Sequence, residues 1–123
     1  MERFKDKVVV VTGAGQGLGK VVTKMFADEG AKVILAGRTA SKVENAAAEI
    51  GGSAVPFTMD YGVEADWARL VDFIKSSYGE LDYLVNNAAI IMQKDILTMT
   101  FEEFKETEHC NLDIVFLGMK YCH

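Results

Sequence analysis

Directly after the apolar run Val8–Val11, the chain reads Thr12-Gly13-Ala14-Gly15-Gln16-Gly17-Leu18-Gly19-Lys20. Four glycines fall within seven residues, between a stretch that reads as a strand and one with helical periodicity. Glycine is the residue for a chain that must turn sharply or approach another backbone closely. A helix that starts in such a turn presents unpaired N–H groups and the positive end of its dipole, which suits a phosphate. A tight turn without a ligand is the plain alternative, but it would not need four glycines.

Three phosphate-binding patterns compete for this loop. The pattern G-x-x-x-x-G-K-[ST] fails twice: counting back from Gly19-Lys20 puts its first glycine on Ala14, and Val21 replaces the Ser or Thr. The pattern G-x-G-x-x-G, started at Gly13 and Gly15, puts its last glycine on Leu18. What fits is T-G-x-x-x-G-x-G, carried by Thr12, Gly13, Gly17 and Gly19. Gly13 would turn the chain off the strand, Gly17 would let backbone come close to a pyrophosphate, and Gly19 would let the helix pack tightly on the sheet. Gly15, Gln16 and Leu18 complete the candidate contact set.

The rest of the chain alternates short apolar strands with amphipathic helices. Strands are expected at Lys7–Thr12, Lys32–Gly37, Ala54–Met59 and Leu81–Asn86. Helices are expected at Gly17–Asp28, Ala40–Ile50, Val63–Tyr78 and Thr100–Tyr121. Leu18, Val21, Val22, Met25 and Phe26 mark the apolar face of the first helix, and Trp67, Leu70, Val71 and Ile74 that of the third. Gly30, Gly51-Gly52 and Gly79 stop helices, Thr39 or Ser41 starts the second, and Thr100 with Glu103 forms a capping box for the last. The only proline, Pro56, lies in the third strand and points to a sheet edge. This order implies an α/β, Rossmann-type doubly wound parallel sheet of about four strands in the order 3-2-1-4, within one domain or the front part of one.

Composition narrows the partners. The net charge is −5, which argues against nucleic acid, because neutralising a phosphate backbone takes clustered Lys and Arg. No apolar run approaches the ~20 residues that span a bilayer, and the mixed charges of Glu2–Lys7 do not resemble a signal segment. A cytoplasmic or otherwise reducing location is the expectation. Cys110 and Cys122, if on one helix, are separated by about 18 Å, too far for the ~7 Å Cα spacing of a disulfide. No zinc-like spacing surrounds them with His109 or His123, so no metal is expected.

With these motifs assembled, the chain resembles a classical short-chain dehydrogenase/reductase along its whole length. The glycine loop, Met59-Asp60-Tyr61 at the third strand's end, Leu81–Ala89 (LDYLVNNAA) and His109–Gly118 (HCNLDIVFLG) match that family's motifs in order and spacing. The resemblance implies that Asp60 bonds the adenine with help from the backbone of Tyr61. It also implies that Asn87 lies beside the adenosine ribose, that Ala88 belongs to the cofactor-binding set, and that Asn111 helps hold a water in a proton relay. Ala89 departs from the family's usual glycine.

The end of the second strand separates the two nicotinamide cofactors. An acidic side chain there usually reads a free ribose 2′-OH. Here Gly37 stands at that place, followed by Arg38, whose guanidinium suits a 2′-phosphate. NADP(H) is therefore favoured over NAD(H). Gln16 does not add the second basic residue that some NADP-preferring members carry in the loop.

The family's reaction moves hydride between the nicotinamide and a small-molecule carbonyl or alcohol, with a Tyr-x-x-x-Lys pair handling the proton. Tyr61, Tyr78 and Tyr83 are followed four residues later by Ala65, Asp82 and Asn87, and Tyr121 by only two residues. The expectation is an N-terminal portion of such an oxidoreductase, inactive by itself, with a possible homo-oligomer contact through the last helix. The alternatives are a non-catalytic dinucleotide-binding or partner-pairing short protein and, more weakly, a methyltransferase of similar sheet type.

Overall fold

The computed structural model describes residues 2–87 and 97–122, without the side chains of 107–110. Strands and helices alternate as β1 (Val8–Thr12), α1 (Gly17–Asp28), β2 (Lys32–Gly37), α2 (Ala40–Ile50), β3 (Val55–Thr58), α3 (Glu64–Ser77), β4 (Tyr83–Val85) and α4 (Phe101–Tyr121). Among the described residues, the strands form one parallel sheet in the order β3-β2-β1-β4. This is the doubly wound, Rossmann-type arrangement that the alternation implies. Pro56 sits on β3 at the sheet's edge, where its missing N–H does least harm.

β4 is shorter than the periodicity suggests, for a local reason. The Asp82 carboxylate accepts the Val8 N–H at 2.8 Å, while Asp82 N–H donates to the Val8 carbonyl at 2.9 Å. A side chain thus takes the place of a backbone rung.

Because the sheet is covered on both sides, every residue of β1 is buried. Alternate residues serve opposite faces. Val9, Val11, Val33 and Leu35 pack with Val43, Ala46 and Ala47 of α2, flanked by Phe26 and Ala27 of α1. Val8, Val10, Ile34 and Ala36 pack with Phe57, Tyr61, Trp67, Leu70, Ile74, Ile114 and Leu117, which brings in α3 and α4.

α1 departs from its apolar pattern. Leu18, Val21 and Met25 are 69%, 56% and 61% exposed, and the fully buried positions are Gly19 and Thr23. The helix is rotated so that its small residues meet the sheet. Gly19 lies so close to the β1 turn that an added Cβ would stand 2.2 Å from the Gly13 carbonyl oxygen. The helix ends as Gly30 predicts. Gly30 takes φ +92°, its N–H bonds the Ala27 carbonyl, and the Ala31 N–H bonds that of Phe26.

α4 begins at its cap, with Thr100 Oγ1 accepting the Glu103 N–H at 3.0 Å. It buries Ile114 and Leu117, while Leu112, Phe116 and Met119 remain exposed. Cys122, at its end, packs against the core, and burial pushes its thiol up to about 11. Among the described residues, no helix is long and apolar enough to cross a membrane.

Candidate functional site

β1 and β2 run side by side up to the pair Thr12–Ala36, and one further backbone bond, from the Ala14 N–H to the Ala36 carbonyl at 3.3 Å, joins them before the two chains diverge. Gly13 takes φ +65° and leads into α1, while Gly37 and Arg38 lead into α2. The divergence opens a cavity of about 390 Å³ at the carboxyl edge of the sheet. Crevices at this edge are where open α/β sheets hold their ligands.

The cavity is lined by Gly13, Gly15, Gln16, Gly17, Leu18, Gly37, Arg38, Thr39, Lys42, Val43, Tyr61 and Asn87. The structure therefore gathers most of the residues singled out from the sequence. Thr12 and Gly19 lie directly behind the lining and shape it. Asp60 does not line it: its Oδ1 accepts the Gly62 N–H at 2.9 Å, and its own N–H donates to Asp66 Oδ2 at 2.8 Å. Asn111 lies on α4, half-buried and away from this lining. Ala88 and Ala89 are outside the described residues.

Each wall has a local cause. Gly17 takes φ +58° and has no atom within 4 Å of the place where a Cβ would be, so the loop stays open at the start of α1. That start has Gln16 as N-cap with no side-chain bond, and no acidic residue in its first turn. The first N–H groups of α1 and its positive dipole end thus meet an anion without a competing carboxylate. This fits the pyrophosphate of a dinucleotide.

On the opposite wall, a Cβ at Gly37 would stand 2.3 Å from Val43 Cγ1, so packing itself denies this position a side chain. Arg38, Thr39 and Lys42 follow, and among the described residues the lining holds two cations and no carboxylate. The sequence reading passed over Lys42. Lys42 is the third residue of α2, and its place beside the cavity is what marks it out from other helix lysines. Its Cβ lies 3.0 Å from where a Cβ on Gly15 would be, which places the lysine stem directly against the glycine loop.

Three side chains tie the floor of the cavity together. Thr12 Oγ1 donates to the Val85 carbonyl at 3.3 Å and accepts the Asn87 N–H at 3.0 Å, and Asn87 Nδ2 donates to the Gly13 carbonyl at 3.2 Å. Tyr61 Oη accepts the Gly13 N–H at 2.7 Å and donates to the Ala36 carbonyl at 2.9 Å. Burial pushes the Tyr61 phenol above its ordinary value, and the Gly13 amide and Arg38 guanidinium act in the other direction. The hydroxyl therefore keeps its proton, and its donation to Ala36, at neutral pH.

Comparisons with known proteins agree with this geometry. Residues 7–123 match the family model described as short chain dehydrogenase. The chain is 39% identical over 121 residues to the NADP-dependent (R)-specific alcohol dehydrogenase of Lentilactobacillus kefiri, covering 97% of this chain and 48% of that protein. It is 37% identical to the zerumbone synthase of Zingiber zerumbet, covering 97% of this chain and 46% of that one. Among solved structures, a 3-ketoacyl-(acyl-carrier-protein) reductase from Brucella melitensis complexed with NADH superposes with a TM-score of 0.87 at 36% identity. That match covers 95% of this chain and 48% of that one. The chain spans about half the length of these relatives. With a family model matched over nearly its whole length and the glycine loop in place at the sheet's edge, the chain belongs to the short-chain dehydrogenase family.

Proposed function

We propose that the chain forms the cofactor-holding part of an oxidoreductase that uses NADP(H) in preference to NAD(H) and acts on a small-molecule carbonyl or alcohol. The observation that carries this reading is the wall made by Gly37, Arg38 and Lys42. Val43 leaves no room at position 37 for the acid that would read a free 2′-OH, and two cations stand beside it. A 2′-phosphate matches that wall in charge, and guanidinium binds phosphate through paired N–H groups. The L. kefiri relative is named NADP-dependent, whereas the B. melitensis relative was solved with NADH, so the preference rests on this chain's own residues.

Division of labour follows from the walls. Gln16, Gly17 and Leu18, at the start of α1, hold the pyrophosphate. Arg38 and Lys42 hold the 2′-phosphate, and Asn87 holds the floor beside the adenosine. By family resemblance, Asp60 and the Tyr61 backbone reach the adenine, Asn87 lies beside the ribose, Ala88 joins the cofactor contacts, and Asn111 positions a relay water. When bound, the nicotinamide supplies or accepts the hydride. The glycine loop and the cationic wall orient it by gripping the far end of the same molecule, so binding away from the reacting carbon fixes its geometry.

The test is a titration of the protein with NADPH and NADH, followed by fluorescence or calorimetry, alongside Arg38→Ala. NADPH should bind at least tenfold more tightly than NADH. Arg38→Ala should weaken NADPH by about 10- to 100-fold, as expected for a charge-assisted phosphate contact, and change NADH little. Equal affinity of the unaltered protein for the two cofactors would overturn the reading.

A further inference from the structure

Tyr61 does something that its position in the sequence does not suggest. Its backbone is held from the α3 side: Trp67 Nε1 donates to the Tyr61 carbonyl at 2.8 Å, and the preceding residue is bonded to Asp66. Its ring is 5% exposed and lies in the core beside Trp67. From there the side chain reaches across the carboxyl edge of the sheet to the point where the β1–β2 ladder stops. The last pair of that ladder is Thr12–Ala36. The hydroxyl takes the next N–H on one strand, that of Gly13, and the carbonyl of Ala36 on the other, at 2.7 and 2.9 Å. It acts as one more rung, built from a side chain, beside the longer bond from the Ala14 N–H to the same Ala36 carbonyl at 3.3 Å, and it alone engages the Gly13 N–H among the bonds described. The two segments it joins are the two walls of the cavity: the glycine loop leaves Gly13 immediately, and Gly37-Arg38 follows Ala36 directly.

We propose that the Tyr61 hydroxyl is a positioning residue for the dinucleotide, setting the distance between the loop that takes the pyrophosphate and the segment that takes the 2′-phosphate. The inference rests on the reading of this cavity as an NADP(H) site. A ligand that bridges both walls gains from a fixed separation, because neither wall must be ordered as it binds. A ligand that touches one wall gains nothing from it.

That difference gives the experiment. Tyr61→Phe removes one oxygen and keeps the ring that fills the core, so the fold is retained, and a thermal scan verifies this. The affinities of the unaltered protein and Y61F are measured for NADPH, which spans both walls, and for adenosine 2′-monophosphate, which reaches only the Arg38 side. Y61F should weaken NADPH about tenfold, equivalent to about 1.4 kcal/mol, and leave the monophosphate within twofold. Unchanged NADPH affinity in Y61F overturns the proposal. So does an equal loss for both ligands, which is what general loosening of the fold would give. If the unaltered protein binds neither dinucleotide, the NADP(H) reading itself fails, and the inference with it. Failure confined to Y61F leaves that reading intact.

Discussion

Gly19→Ala adds one methyl group where the structure has no room for it. The new carbon would lie 2.2 Å from the Gly13 carbonyl oxygen and 2.6 Å from Asn87 Nδ2. Carbon and oxygen normally meet no closer than about 3.3 Å, so the overlap is about 1 Å. One neighbour is backbone and the other is bonded to that same backbone carbonyl, so neither moves alone. Overpacking of this kind costs 1–3 kcal/mol and occasionally more; backbone on the far side puts this case at about 3 kcal/mol. Unfolding entropy of about 2.1 cal/mol/K per residue gives about 0.26 kcal/mol/K for the chain, so Tm should fall by about 12 °C. Gly17→Ala is the control. Its methyl group meets nothing within 4 Å, and its cost comes only from φ +58°, about 1 kcal/mol or 4 °C. Circular dichroism melts of the three proteins under one buffer read both numbers. If Gly17→Ala destabilises as much as Gly19→Ala, steric closure between α1 and the β1 turn is not what Gly19 provides.

Two further outcomes accompany those given for Arg38 and Tyr61. Thr12→Val keeps the shape of a fully buried side chain but strips the partner from the Asn87 N–H and a donor from Val85; it should cost about 1–3 kcal/mol in urea unfolding, and a loss below 0.5 would remove Thr12 as the link to β4. The Cys122 thiol, raised to about 11 by burial, should react with iodoacetamide slowly at pH 8 and accelerate only towards pH 11 in a Cys110→Ser background; because the folded state disfavours the thiolate, this group adds stability below the ordinary thiol range and loses it as pH rises beyond, and a labelling midpoint near 8.5 would show that the thiol is open to water.

Element order, strand order and most boundaries can be read from the sequence because local signals fix them: β1's unbroken apolar run, the stops at Gly30, Gly51 and Gly79, the Thr100 cap, and Pro56 at an edge. The same holds for the glycine loop, whose function depends on local spacing. What escaped depends on contacts between distant residues. The apolar stripe of α1 gave a face but not its rotation, because the side chosen by Gly19 is defined by Gly13 and Asn87. Asp60 and the Tyr61 backbone were read for the adenine alone; that the Asp60 carboxylate caps its own turn and that the Tyr61 hydroxyl works 25 and 48 residues away in sequence could not be read from the local pattern. Lys42 was missed for a simpler reason: a lysine on a solvent-facing helix looks like any other until the cavity beside it is known.

The floor of the cavity is also where distant parts of the chain meet. Among the described residues, nearly all of its lining comes from the unbroken span between Gly13 and Tyr61, and the exception is Asn87, which follows the strand β4. Asn87 in turn holds Thr12 and Gly13. A molecule that binds only when Asn87 is in place therefore draws β4 onto the sheet by mass action. At a thousandfold excess over its Kd it contributes about 4.1 kcal/mol to the docked state. The three-residue strand at the margin of this sheet is in that sense partly held by whatever occupies the cleft, and above Kd its hydrogen exchange should slow in proportion to ligand concentration, its protection free energy rising with the logarithm.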